Sequence, residues 1–301
     1  MGQGDTIVPQ TYTYVERDGK PLLLDVYMPD TPRPDSACVF YLFGGGFVEG
    51  ARNDAYSRQC CQLLARQGFT VVSVDYRLWL KMMSEDTTLA QGTKLLSPTK
   101  NPFRITIDVA AADCAAAIDY IYRNAAEFGV STNRFILTGC SAGAISVLHL
   151  DYCRANAMAP ASELPPQFVP AAVIPYAGAV YCIGTRPKYK TPPAPTCFFH
   201  GTKDRIVNYH KFPPLIRSGL YGPKKLQREF HRQGYSHWIL RFEGIGHEVA
   251  AVLPKTIQEF VAFVDATLDG RVMQYDATCR DGYITPTNWS NLTVFDLYKK
   301  K

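Results

Sequence analysis

Three side chains far apart in the chain have the types that work together on a carbonyl carbon: Ser141, Asp204 and His247. A serine hydroxyl is a poor nucleophile at neutral pH. It becomes a good one when an imidazole within hydrogen-bond reach takes its proton and a carboxylate fixes the tautomer of that imidazole. Ser141 stands at the centre of Gly139-Cys140-Ser141-Ala142-Gly143, after the apolar run that starts at Phe135 and before a run of small and apolar residues. This reads as strand, sharp turn and helix, with glycines where a Cβ would have no room. The plainer reading is a glycine-rich turn whose serine only caps the helix. Asp204 follows the apolar run that ends at Phe199, and His247 follows the one that ends at Phe242. Both therefore fall at the carboxyl end of an expected strand, the edge where open α/β sheets bind ligands. Among the other histidines, His149 reads as packed within a helix, His200 as a brace for the Asp204 loop, and His210, His231 and His237 as surface residues. Arg205 is a competing ion partner for Asp204.

A second constellation answers the first. Gly44-Gly45-Gly46 ends the buried run Cys38 to Phe43. Three glycines let backbone amides turn inward and approach a ligand closely. The amides of Gly45 and Gly46, with that of Ala142 at the start of the helix, are the expected donors to a developing oxyanion.

The elements that must position these groups follow from periodicity. Thr11 to Val15 and Leu22 to Tyr27 alternate apolar and polar around Asp18-Gly19, an antiparallel pair at a sheet edge. Thr70 to Val74, Ala171 to Tyr176, Thr196 to Phe199 and Ile239 to Phe242 are short buried runs, as a sheet covered on both faces requires. Asp54 to Gln67, Ile105 to Phe128, Pro223 to Gln233 and Val249 to about Leu268 have helical spacing. Leu78 to Asn101 and Val180 to Pro195 read as irregular connections. The alternation predicts an α/β fold, a mostly parallel doubly wound sheet with helices on both faces and little or no cap. One domain spans 1–301, with a core of about 11–268 and a tail, 269–301, that packs on the surface.

Composition narrows the function classes. In 301 residues, 32 basic side chains face 27 acidic ones, and the basic residues are scattered, with short clusters at Lys224-Lys225 and Lys299 to Lys301. No nucleic-acid stripe emerges. No apolar run reaches membrane-spanning length, so a soluble protein is expected. The nine cysteines have no metal or redox spacing, and most sit in apolar runs as buried thiols; a pairing such as Cys182 with Cys279 stays open. Met1 to Thr6 matches a lipidation pattern by letter alone. No signal peptide is present, so the compartment is periplasmic or secreted if one was removed and cytoplasmic otherwise. The sequons at Asn288 and Asn291 matter only in a glycosylating host.

These motifs carry a resemblance. Phe43 to Phe47 (FGGGF), Val74 to Leu78 (VDYRL), Gly139 to Gly143 (GCSAG), His200 to Val207 (HGTKDRIV) and Phe242 to Glu248 (FEGIGHE) resemble the α/β-hydrolase superfamily of serine esterases and lipases. The likeness is nearest to hormone-sensitive-lipase-like carboxylesterases and bacterial xylan acyl esterases, and it spans roughly Asp25 to Leu268. It implies a serine ester hydrolase working through an acyl-enzyme, with no metal and no organic cofactor. Phe43 departs from the pattern, because the family often has a histidine there to brace the glycine loop. Cys140 beside the nucleophile is a second departure. Lid-forming segments are short, which favours bulky or polymeric alcohols over long lipid chains. The leading expectation is removal of acetyl or feruloyl groups from plant polysaccharides or their fragments. A generic short-chain carboxylesterase comes next, then a serine peptidase or a non-catalytic binding member of the fold. Phe47, Trp79, Met82 and Tyr176 are the candidate substrate-lining residues. The sequence sets no oligomeric state.

Overall fold

The edge of the sheet is built first. In the computed structural model, which describes residues 6–95, 97–213, 218–271, 274–280, 282 and 284–298, strands β1 (Gln10–Arg17) and β2 (Lys20–Tyr27) form an antiparallel hairpin. Asp18 and Gly19 both adopt positive φ, 52° and 70°, the geometry of a two-residue turn that matches the strand twist. The chain continues through β3 (Cys38–Leu42), β4 (Thr70–Val74), β5 (Phe135–Cys140), β6 (Ala172–Tyr176), β7 (Val180–Ile183), β8 (Thr196–Gly201), β9 (Lys211–Phe212), β10 (Ser218–Tyr221), β11 (His237–Phe242) and β12 (Gln274–Cys279). The helices are α1 (Ala55–Arg66), α2 (Trp79–Glu85), α3 (Pro102–Arg123), α4 (Ala142–Asn156), α5 (Pro223–Gln233), α6 (Ile257–Leu268) and α7 (Val294–Leu297). The N-terminal lipidation-like pattern falls largely, and the lysine tail wholly, outside the described residues.

Nine strands join one sheet in the order β1-β2-β4-β3-β5-β6-β8-β11-β12. From β4 onward neighbouring strands run parallel. Every residue of β3, β4, β5, β6 and β8 is buried, the consequence of helices on both faces. On one helical layer α3 packs against α4; elsewhere Phe69 meets Phe260 of α6 edge-on at 6.0 Å. From β3 the chain moves to β4 on one side and returns to β5 on the other. The loops leaving β3 and β5 thus diverge from a topological switch point, where a crevice opens. That crevice holds the Gly44–Gly46 loop and Ser141.

Several expected boundaries move for identifiable reasons. Helix α3 starts earlier than the periodicity suggests, because the Asn101 side chain accepts from the Phe103 and Arg104 amides and Pro102 tolerates the first helical position. Val249 to Leu268 is not one helix. Pro254 cannot donate within it, and the segment breaks into 3-10 turns at His247–Ala251 and Leu253–Lys255 before α6. The Leu78 to Asn101 connection contains α2 and a 3-10 turn at Thr87–Ala90, and Val180 to Pro195 opens with β7, which pairs with β10 and β9 in a separate three-stranded sheet. The tail does more than lie on the surface. It returns as β12 to extend the sheet beside β11, and its later residues reach the crevice. All nine cysteines are unpaired, Cys182 and Cys279 included.

Candidate active site

The turn at Ser141 is as tight as the glycines imply. Ser141 has φ 50° and ψ −116°, a conformation that L-residues avoid unless the surroundings enforce it. A Cβ on Gly139 would lie 2.6 Å from the Leu42 carbonyl oxygen. One on Gly143 would lie 2.5 Å from the Phe43 oxygen and closer still to that of Leu42. Both obstacles are backbone and cannot rotate away. Gly143→Ala is therefore expected to cost about 3 kcal/mol or more, as overpacked cores do; a denaturation midpoint equal to wild type would show that the elbow has slack.

The three distant side chains meet. His247 Nε2 lies 2.8 Å from Ser141 Oγ, and His247 Nδ1 lies 2.7 Å from Asp204 Oδ2. Asp204 Oδ1 accepts the amides of Ile206 and Val207, both at 2.9 Å, so one carboxylate oxygen holds its own loop and the other faces the imidazole. All three groups are buried. Arg205 is exposed, and among the described residues the ion partners of Asp204 are His247 and, at 3.6 Å, His200. His200 donates from Nε2 to the Val207 carbonyl at 2.8 Å, tying down the far side of the same loop, and burial holds its imidazole below the ordinary range.

Gly44, Gly45 and Gly46 border Ser141 across the crevice. A Cβ on Gly44 would sit 3.3 Å from Ser141 Cβ, which shows how close this loop comes. Ala142 opens α4, where amides have no partner within the helix. The position where the superfamily often carries a bracing histidine is handled differently. The Phe43 ring stacks on Tyr76 at 4.4 Å, and the Tyr76 hydroxyl donates to the Phe43 carbonyl at 2.7 Å. Cys140 is a buried thiol, pushed up to about 11 chiefly by burial, with the Tyr41 hydroxyl 3.5 Å away.

His149 lies apart from this chemistry. It pairs through Nε2 with Asp108 Oδ1 at 2.7 Å. Burial disfavours its charged form, but Cys153 and Asp108 outweigh that and raise the imidazole to about 10. Its folded value thus exceeds the unfolded one, about 6.5. The stabilisation is fully present below that unfolded value and is lost as pH rises through the folded one. Melting temperature is expected to decline between about pH 6.5 and pH 10, and His149→Gln to flatten that slope; parallel slopes would exclude His149 as the source. Asp108, His149 and Cys153 also bring ligand-type atoms within 4.8 Å of one another, the grouping in which metal-ligating types gather among the described residues.

The family model described as BD-FAE matches residues 24–86. Lipase 2 of Moraxella sp. (strain TA144) is 28% identical over 139 residues, 44% of this chain and 27% of its own length. Gut esterase 1 of Caenorhabditis elegans is 31% identical over 113 residues, 37% of this chain and 17% of its own. The chain spans little more than a quarter, at most, of these relatives. A thermophilic esterase from Thermogutta terrifontis superposes with TM-score 0.60 at 20% identity, covering 89% of this chain and 95% of that one. The chain has the α/β-hydrolase fold.

A cleft of about 640 Å³ opens beside Ser141, lined by the glycine loop, Tyr56, His247, Trp289 and Leu297 among others. Of the expected lining residues, Phe47 borders a smaller cavity that also touches Ser141. Trp79, Met82 and Tyr176 line neither. Trp79 lies on α2 with the Arg77 guanidinium 5.9 Å from its ring centre, and Met82 follows on the same short helix. Tyr176 is fully buried, stacked on Phe199 at 4.5 Å, with its hydroxyl accepting from Thr256 at 3.2 Å. The tail supplies what the sequence reading missed. The Trp289 ring stacks over His247 at 5.7 Å. Glu248, next to His247, accepts the amides of Thr287 (2.7 Å) and Ser290 (2.9 Å) as well as their hydroxyls. The one available signal was Glu248 itself, an acid beside the candidate base with several tail hydroxyls to satisfy. No helix among the described residues is long and apolar enough to cross a membrane.

Proposed function

We infer that the protein is a serine carboxylic-ester hydrolase, with Ser141 as nucleophile, His247 as general base and acid, and Asp204 as the group that orients and stabilises the imidazolium. The observation that carries this reading is the unbroken hydrogen-bonded line from Asp204 through His247 to Ser141, on the wall of an open cleft. The Ser141 oxygen adds to the ester carbonyl as His247 Nε2 takes the hydroxyl proton. The new oxyanion faces the amides of Gly45, Gly46 and Ala142. When the intermediate collapses, the carbon–alkoxy bond breaks and the same proton passes from Nε2 to the leaving oxygen. Water then repeats both steps on the acyl-enzyme, releasing the acid and restoring Ser141.

The two cavities beside Ser141 support a division of the substrate between them. The leaving oxygen must lie on the side where His247 can hand it a proton. His247 lines the 640 Å³ cleft and does not line the smaller cavity. The alcohol therefore occupies the cleft and the acyl group the smaller cavity. That cavity measures about 30 Å³, is walled by Phe47, Ala142, Ile145 and Val207, and holds one or two water-sized groups. A space of that size favours an acetyl methyl over a feruloyl group. The cleft offers Trp289 and Tyr56 as faces for a sugar or aryl alcohol. The preferred substrate is thus an acetylated carbohydrate, and deacetylation is favoured over feruloyl release.

A generic short-chain carboxylesterase is the second reading, favoured by the capture of propionate and butyrate in the Thermogutta esterase. The deciding assay offers p-nitrophenyl acetate, acetylated xylo-oligosaccharides and feruloylated arabinoxylan fragments to the purified protein. Acetate release from the oligosaccharides without ferulate release is expected. Turnover of the aryl acetate with the carbohydrates untouched would remove the carbohydrate reading and leave the carboxylesterase.

A further inference from the structure

A third cavity lies behind the small one. It measures about 290 Å³ and is walled almost wholly by apolar side chains. Phe103, Leu220, Val294 and Tyr298 border both cavities, so they are the partition between them. Phe103 and Tyr298 close it edge to face, with ring centres 5.5 Å apart. The Tyr298 hydroxyl donates to the Gly46 carbonyl at 2.9 Å, so one side of the partition hangs from the loop that carries the proposed oxyanion donors. The amide of Val294 donates to the Arg205 carbonyl at 3.2 Å, next to Asp204.

We propose that the 290 Å³ cavity is an extension of the acyl site, reached through the Phe103–Tyr298 partition, and that it takes a straight alkyl acyl chain longer than the small cavity admits. This rests on the serine-esterase reading and on the acyl group lying away from His247. Three observations bear on it. The space adjoins the acyl pocket, because the same four residues border both. Its lining suits hydrocarbon, since a polar or charged acyl group would lose its water without gaining a partner. The partition is made of side chains, with two of its four members on the chain segment after residue 284, so it can thin without breaking a sheet. In the closed arrangement acyl length is capped near the acetyl end.

The test removes bulk from the partition without touching the Tyr298 hydroxyl bond. In Leu220→Ala and Phe103→Ala the ratio of kcat/KM for p-nitrophenyl octanoate to that for p-nitrophenyl acetate is expected to rise at least tenfold over wild type. An unchanged ratio in both variants, each with a wild-type melting curve, overturns the extension. The second readout is a crystal structure of the Leu220→Ala protein after reaction with an octylphosphonate p-nitrophenyl ester. The alkyl chain is expected behind Phe103, and a chain lying in the cleft beside His247 overturns the proposal while leaving Ser141 as the nucleophile. Labelling by a methylphosphonate ester separates the two levels. If even that small reagent leaves Ser141 unmodified, the esterase reading itself fails and the extension with it.

Discussion

Ser141→Ala is expected to lower ester turnover by at least about 10⁴-fold while the protein melts as wild type does. The magnitude follows from losing the nucleophile in a unit whose members act together; what survives is the contribution of the oxyanion donors and of binding. Alanine keeps the Cβ, so the elbow at φ 50° is no more strained than before. Among the described residues, the side-chain hydrogen bond given up is the one to His247 at 2.8 Å, and His247 stays held by Asp204 on its other nitrogen. Steady-state hydrolysis of p-nitrophenyl acetate with a circular-dichroism melt checks both halves. Turnover within tenfold of wild type would move the chemistry to another residue.

Asp204→Asn is expected to cost about 10³- to 10⁴-fold in kcat with little loss of stability. The asymmetry of the Asp204 contacts explains why. One oxygen is claimed by the amides of Ile206 and Val207, which need an acceptor. An asparagine keeps its carbonyl there and turns its amide group toward His247 Nδ1. A donor in that place forces Nδ1 to accept, so the ring proton moves to Nε2 and points at Ser141. The imidazole can then no longer take the serine proton. Asp204→Ala differs in a measurable way, because it also strips the loop of its acceptor and should lower the melting temperature. Equal activity in Asp204→Asn and wild type, across the pH range, would sink the proposed role of the carboxylate.

These groups were legible from the sequence because each is tied to a local signal. The Ser141 turn announces itself through glycines that backbone atoms crowd on both sides. Asp204 and His247 follow apolar runs that end at strand termini, and the parallel pairing of β8 with β11 brings those termini together. The cleft walls were not legible, because nothing local specifies them. Trp79 looked like a wall residue, but α2 forms instead of an irregular loop and Arg77 lies against the ring. Tyr176 ends a strand beside the nucleophile, yet it is in register with Phe199 on the next strand, and the two rings stack. The 284–298 segment has neither helical nor strand period over most of its length. Its place is fixed by hydrogen bonds to Glu248, Arg205 and Gly46, each more than thirty residues away.

That last segment touches the loops of all three proposed catalytic groups: the turn of His247 through Glu248, the loop of Asp204 through Arg205, and the glycine loop facing Ser141 through Tyr298. Ribosomal synthesis delivers it after them. A chain extruded only as far as Leu268 already contains every proposed catalytic side chain but lacks Trp289, Val294 and Tyr298, which complete the walls proposed to sort one ester from another. Part of the proposed discrimination is thus added last as the chain is made, after every residue proposed to react.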